Sequence, residues 1–62
     1  MQNNLKKILK EKHISQKDLA KKTKITKAAI CRYVNMSRIP NGENMLKIAK
    51  ELNVSVEEIW RI

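Results

Sequence analysis

Between Ser15 and Met36 the chain reads SQKDLAKKTKITKAAICRYVNM, two short helical patterns either side of a tight turn, and this stretch constrains the fold most. Ser15 and Thr26 are each suited to cap a helix N-terminus, where a hydroxyl accepts from backbone N–H groups that the first turn leaves open. After Ser15 comes a polar turn and then Leu19-Ala20, with Ala20 small enough for a second helix to cross closely. After Thr26 comes Lys-Ala-Ala-Ile, in which Ile30 supplies the apolar anchor. Helical geometry then puts Lys27, Ala28, Cys31 and Arg32 on the outward face, at positions the Ile30 stripe does not use. A helix held this way, basic and small-residued outside, fits the DNA major groove, so the segment predicts a helix-turn-helix with double-stranded DNA as partner.

The charge distribution points the same way. From Met1 to Arg38 there are eleven Lys and Arg against Glu11 and Asp18, whereas Ile39 to Ile62 holds three against four carboxylates. The whole excess of +8 therefore comes from the half that carries the motif. Lysines serving solubility alone would not be confined to one half; a polyanion partner explains the asymmetry.

Length and composition narrow the class further. Sixty-two residues allow one domain, 1–62, with a small core. One Gly, one Pro and no Phe exclude loop-rich and β-rich architectures with many turns. The lone Cys31 rules out an internal disulfide and suits a reducing compartment, hence a cytoplasmic location. No apolar run approaches the ~18 residues of a membrane span, and the basic N-terminus lacks the apolar stretch of a signal peptide. With no repeat, linker or low-complexity tail, no attached effector domain is expected.

The periodicity predicts an all-α fold of five helices. The first runs from Asn3 to Lys12, with Leu5, Ile8 and Leu9 on one face and Lys6, Lys7 and Lys10 on the other. His13-Ile14 follows, Ile14 pointing inward. The second spans Gln16 to Thr23 and the third Lys27 to Asn35. Asn41 caps a fourth, Gly42 to Leu52, whose inner stripe is Met45, Ile48, Ala49 and Leu52; Asn53 suits the left-handed residue after its end. Ser55-x-x-Glu58 is a capping box that opens a last turn holding Ile59 and Trp60.

The ordered set Leu-Lys-x-Ile-Leu, Ser15-Gln16-x-x-Leu19-Ala20, Ile25-Thr26-x-x-x-Ile30, Pro40 and Leu46-x-Ile48-Ala49-x-x-Leu52-x-Val54-Ser55 resembles the lambda-repressor-like (XRE/Cro) helix-turn-helix family from about Leu5 to Ile59. That resemblance implies a compact five-helix domain whose third helix enters the major groove, usually as a dimer on a near-palindromic operator. It assigns Gln16 to a phosphate and to bracing the recognition helix, and Ser15 and Thr26 to caps close to phosphates. Lys27, Ala28 and Arg32 fall where the family reads base edges. Physically, Lys27 and Arg32 can donate to guanine O6 and N7, and the Ala28 methyl can meet a thymine methyl. Lys17, Asn35 and Arg38 are expected on the DNA backbone, positioning the domain without reading sequence.

Three positions depart from the family pattern. Lys24 and Met36 stand where Gly is common, at an expected penalty on the order of 1 kcal/mol for a left-handed residue at Lys24 and with another loop geometry expected at Met36. Leu9 and Val34 stand where many phage members pair Arg with Glu, so an apolar contact is expected in place of a buried ion pair.

Other residues have plainer readings. Ala29 is expected to pack, and Tyr33 to lie in the core with its hydroxyl reaching solvent. His13 has no Cys or His partner at ligand spacing, so no metal or other cofactor is expected. Cys31 lacks a resolving thiol for redox sensing. Ile59, Trp60 and Ile62 either cover the end of helix four or form a dimer seam, and the seam is favoured. One His, one Cys and one Asp, with no Gly-rich phosphate loop, predict a non-enzyme. The expected function is sequence-specific transcriptional regulation, as a homodimeric repressor that occludes a promoter. The alternative is a protein-interaction module on the same fold, such as an antitoxin, with a toxin or protein antagonist as partner.

Overall fold

A computed structural model describes residues 2–61. Five helices run in order: α1 Leu5–Glu11, α2 Gln16–Thr23, α3 Lys27–Val34, α4 Gly42–Leu52 and α5 Val56–Ile59. Two-residue strands, β1 Gln2–Asn3 and β2 Trp60–Arg61, flank them and pair antiparallel, Asn3 opposite Trp60. The fold is all-α as expected. The ribbon is the addition, and it shortens α1, because Asn3 pairs across it instead of starting the helix. At the other end Lys12 caps α1, and Asn35 caps α3 one residue earlier than expected.

The apolar stripes converge on one core. Leu5, Ile8 and Leu9 come from α1, Leu19 and Ala20 from α2, Ile30, Tyr33 and Val34 from α3, and Ile48, Ala49 and Leu52 from α4. Ile14 and Met45 are half-buried against them. Leu9 and Val34 are both buried in this cluster, and α1 packs on α3. Apolar residues thus occupy the places of the family's ion pair.

Helices α2 to α5 each start with the expected cap, whereas Asn4 at the start of α1 makes no side-chain cap bond. The side chains of Ser15, Thr26, Asn41 and Ser55 accept from the N–H groups of Asp18, Ala29, Asn44 and Glu58 at 3.0, 3.1, 2.8 and 3.2 Å. Helix ends are made without glycine. His13, Lys24, Met36 and Asn53 all take left-handed backbone angles, with φ of 57°, 60°, 64° and 58°. After α3 the N–H of Met36 donates to the Tyr33 carbonyl and that of Ser37 to the Arg32 carbonyl. Those two bonds are a Schellman closure. Met36 therefore adopts the geometry expected of the glycine it replaces, which corrects the expectation of a different loop there: two recovered carbonyl bonds hold it against the left-handed penalty.

Two further side-chain placements bear on the expectations. Tyr33 lies in the core as expected, 5% exposed, and its hydroxyl accepts from Asn44 Nδ2 at 3.0 Å in a part-buried bond. Ile59 and Trp60 are 0% and 6% exposed within one protomer. Within the protomer they pack into its own core alongside α4, the covering role that is the other reading of these residues; Ile62 lies outside the described residues.

Candidate nucleic-acid interface

The helix-turn-helix is built from α2, the turn Lys24-Ile25-Thr26 and α3. Thr23 closes α2 from inside: its buried hydroxyl donates to the Leu19 carbonyl at 2.7 Å and accepts from the Ile25 N–H at 3.4 Å. Lys24 makes the left-handed step that reverses the chain, and Ile25 drops into the core at 7% exposure. Thr26 then caps α3. A polar pivot, an apolar peg and a cap hold α3 rigidly across α2, where Ala20 leaves room for the crossing.

Rigid seating determines which side of α3 faces out. Ile30, Tyr33 and Val34 are buried, whereas Lys27, Ala28, Cys31, Arg32 and Asn35 are exposed. The exposed set recurs at helical spacing and forms one stripe. The three residues expected to meet base edges, Lys27, Ala28 and Arg32, all lie in it. Ala29 is half-buried against the core, as its packing role requires.

The expected phosphate ligands occupy the rims of the same unit. Ser15, Lys17 and Thr26 are exposed at the starts of α2 and α3, and Gln16 is half-buried at the first position of α2. Free N–H groups of a helix's first turn and the positive end of its dipole favour a phosphate at such a place. Asn35 and Arg38 are exposed beyond the other end of α3. The Asn35 amide turns back along the helix and donates to Cys31 Sγ at 3.4 Å, which ties the free thiol into the stripe.

Electrostatically the surface is left open. Among the described residues one ion pair forms, Lys47 with Glu43 at 3.5 Å within α4, away from the basic half. The exposed Lys17, Lys21, Lys22, Lys24, Lys27 and Arg32 therefore face solvent without a carboxylate partner among those residues. Their summed field favours a polyanion over an extended surface. No group of metal-binding side chains occurs among the described residues, and no helix there is long and apolar enough to cross a membrane.

Two residues that brace α3 are not evident from sequence. Asn3 Nδ2 donates to the Tyr33 carbonyl at 2.7 Å while its Oδ1 accepts from the Leu5 N–H at 2.8 Å, so the ribbon grips the last turn of α3. Asn44 holds the same Tyr33 by its hydroxyl. An Asn-Asn pair ahead of an apolar stripe reads as an ordinary cap, and neither partner is close in sequence. Comparison with known proteins agrees with this geometry: residues 5–59 match the family described as helix-turn-helix. No curated protein matches the chain. The match spans all five helices, and the chain belongs to the lambda-repressor-like (XRE) helix-turn-helix family, whose members are DNA-binding regulators.

Proposed function

We propose that this chain is a sequence-specific repressor that binds promoter DNA as a homodimer and acts by occlusion. The observation that carries the reading is the exposed stripe Lys27, Ala28 and Arg32 on a helix locked by Ser15, Thr23 and Thr26. In this reading Lys27 and Arg32 donate to guanine edges and Ala28 meets a thymine methyl. Ser15, Gln16, Lys17, Thr26, Asn35 and Arg38 hold the flanking phosphates. The described protomer measures 27 × 21 × 19 Å. Successive half-sites on one face of DNA lie ~34 Å apart, so a two-part operator takes two copies. The exposed, unpaired thiol of Cys31 suits a reducing cytoplasm.

Selection from a random duplex library, followed by titration of the winner at two salt concentrations, tests this. The expected result is an enriched near-palindrome with half-sites one turn apart, bound by two protomers. Salt-sensitive binding without enrichment would mean that the basic face only coats phosphates. The second reading, an antitoxin-like module, is favoured by one observation: Met36 and Ile39 are large apolar side chains left 60% exposed beside α3.

A further inference from the structure

Beyond the end of α3 the loop to α4 and the ribbon enclose a shallow groove of about 180 Å³, lined by Asn3, Met36, Arg38, Ile39 and Trp60. Its walls are mainly apolar, and Met36 and Ile39 are each 60% exposed. Two features of the groove are polar and unanswered. The Trp60 Nε1–H is buried and has no acceptor, alone in this among the described residues. Arg38 has no carboxylate partner among them.

We infer that this groove docks an acidic, apolar peptide segment of a partner protein, with an aliphatic side chain between Met36 and Ile39 and a carboxylate on Arg38. Charge decides the occupant. An acidic segment is attracted to Arg38, whereas a second copy of a chain carrying +8 offers only the weakly acidic half Ile39–Ile62, three cations against four carboxylates, and brings its basic half with it. An occupant with carbonyl and carboxylate oxygens also supplies the acceptor that the indole lacks, and buried donors are rarely left unpaired. Met36 is the adaptable wall: its unbranched side chain can move aside to admit the segment to the indole.

The groove also bears on regulation, and this part rests on the DNA-binding reading. Arg38 is assigned there to a phosphate, and its guanidinium cannot serve a phosphate and a groove carboxylate together. A partner seated in the groove therefore weakens DNA binding without covering Lys27, Ala28 or Arg32.

The test begins with a random peptide display library selected on the full chain at about 0.15 M salt, where exposed charges are largely screened beyond ~8 Å. The same library is selected in parallel on the Ile39→Ser chain. The expected pool is rich in Asp and Glu with Leu, Ile or Met, and it is lost on the Ile39→Ser chain. Since Ile39 is exposed, that variant keeps its helical melting curve and its DNA affinity. One enriched peptide then serves as the probe against ¹⁵N-labelled protein. Trp60 is the single Trp, so one indole N–H resonance reports the groove. It shifts with the probe, and replacing the peptide's carboxylates by amides weakens binding roughly tenfold, as loss of one charge-assisted contact predicts.

Pools equal on the two chains, or a pool without carboxylates, would overturn the proposal. So would an indole resonance unmoved by the probe, or one that moves with protein concentration alone, which identifies a second copy as the occupant. Adding the probe to a preformed DNA complex tests the Arg38 conflict: release is expected, and a ternary complex refutes the competition. Failure to bind DNA leaves the indole result standing, and failure of the groove leaves DNA binding untouched.

Discussion

His13→Gly should make the protein more stable, although it deletes a side chain and replaces it with nothing. His13 is exposed and holds φ at 57°. Its N–H donates to the Lys10 carbonyl at 3.2 Å, and the next N–H, of Ile14, donates to the Leu9 carbonyl at 2.9 Å. Those bonds are made by backbone and survive the substitution. What changes is the left-handed penalty on a residue with a Cβ, about 1–2 kcal/mol. Glycine relieves it, but adds unfolded-chain entropy of ~0.4–1 kcal/mol. The net gain is on the order of 0.5–1 kcal/mol, which for a domain this size raises Tm by roughly 2–8 °C. Thermal melts followed by circular dichroism, with urea unfolding beside them, would measure it. His13→Asn should fall near the parent protein or slightly above, since Asn tolerates the left-handed region, and His13→Ala should gain nothing. A His13→Gly chain that melts below His13→Ala would refute the reasoning, because both lack the imidazole and only left-handed strain and unfolded-chain entropy separate them.

Three other expectations follow from the same geometry. Arg32→Ala should cost ~1–3 kcal/mol on the selected operator and relax preference at one base position, whereas Lys17→Ala should weaken all duplexes alike; gel shifts on specific and random DNA separate the two. Equal losses on both DNAs for Arg32→Ala would remove it from base reading. Ile30 is fully buried where α3 meets the core, so Ile30→Val should cost about 0.5–1.5 kcal/mol and Ile30→Ala about 2–5 kcal/mol, enough to unfold much of a domain this small. Asn3→Ala leaves the Tyr33 carbonyl and the Leu5 N–H without their side-chain partners, at about 1–3 kcal/mol. Urea unfolding should show that loss, and operator affinity should fall with it as the last turn of α3 loosens.

Local signals carried most of the fold. Caps at Ser15, Thr26, Asn41 and Ser55 mark helix starts because each bond spans three residues, and stripes such as Ile48, Ala49 and Leu52 mark buried faces because helical period is local too. The outward stripe of α3 followed from that period once Ile30 was placed inside. The ribbon did not follow, because Asn3 meets Trp60 across nearly the whole chain and two-residue strands have no periodicity. Ile59 and Trp60 admit two readings for the same reason: a short apolar run after a helical turn looks alike whether it faces its own core or another copy. The turn at Met36 differs from expectation because the family pattern places glycine there, whereas two carbonyl bonds suffice to hold an ordinary side chain in it.

The ribbon has a consequence for topology. It brings residues 2–3 alongside 60–61, so a short linker from residue 61 to residue 2 would turn the pair into a hairpin within a circularly permuted chain. In the natural order, forming this pair closes a loop of almost the full sequence, which makes it the contact of greatest sequence separation and an expected late step of folding. In the permutant the same pairing becomes local and early. Because Asn3 holds the Tyr33 carbonyl, the order in which the strands zip also sets when the end of the recognition helix is secured.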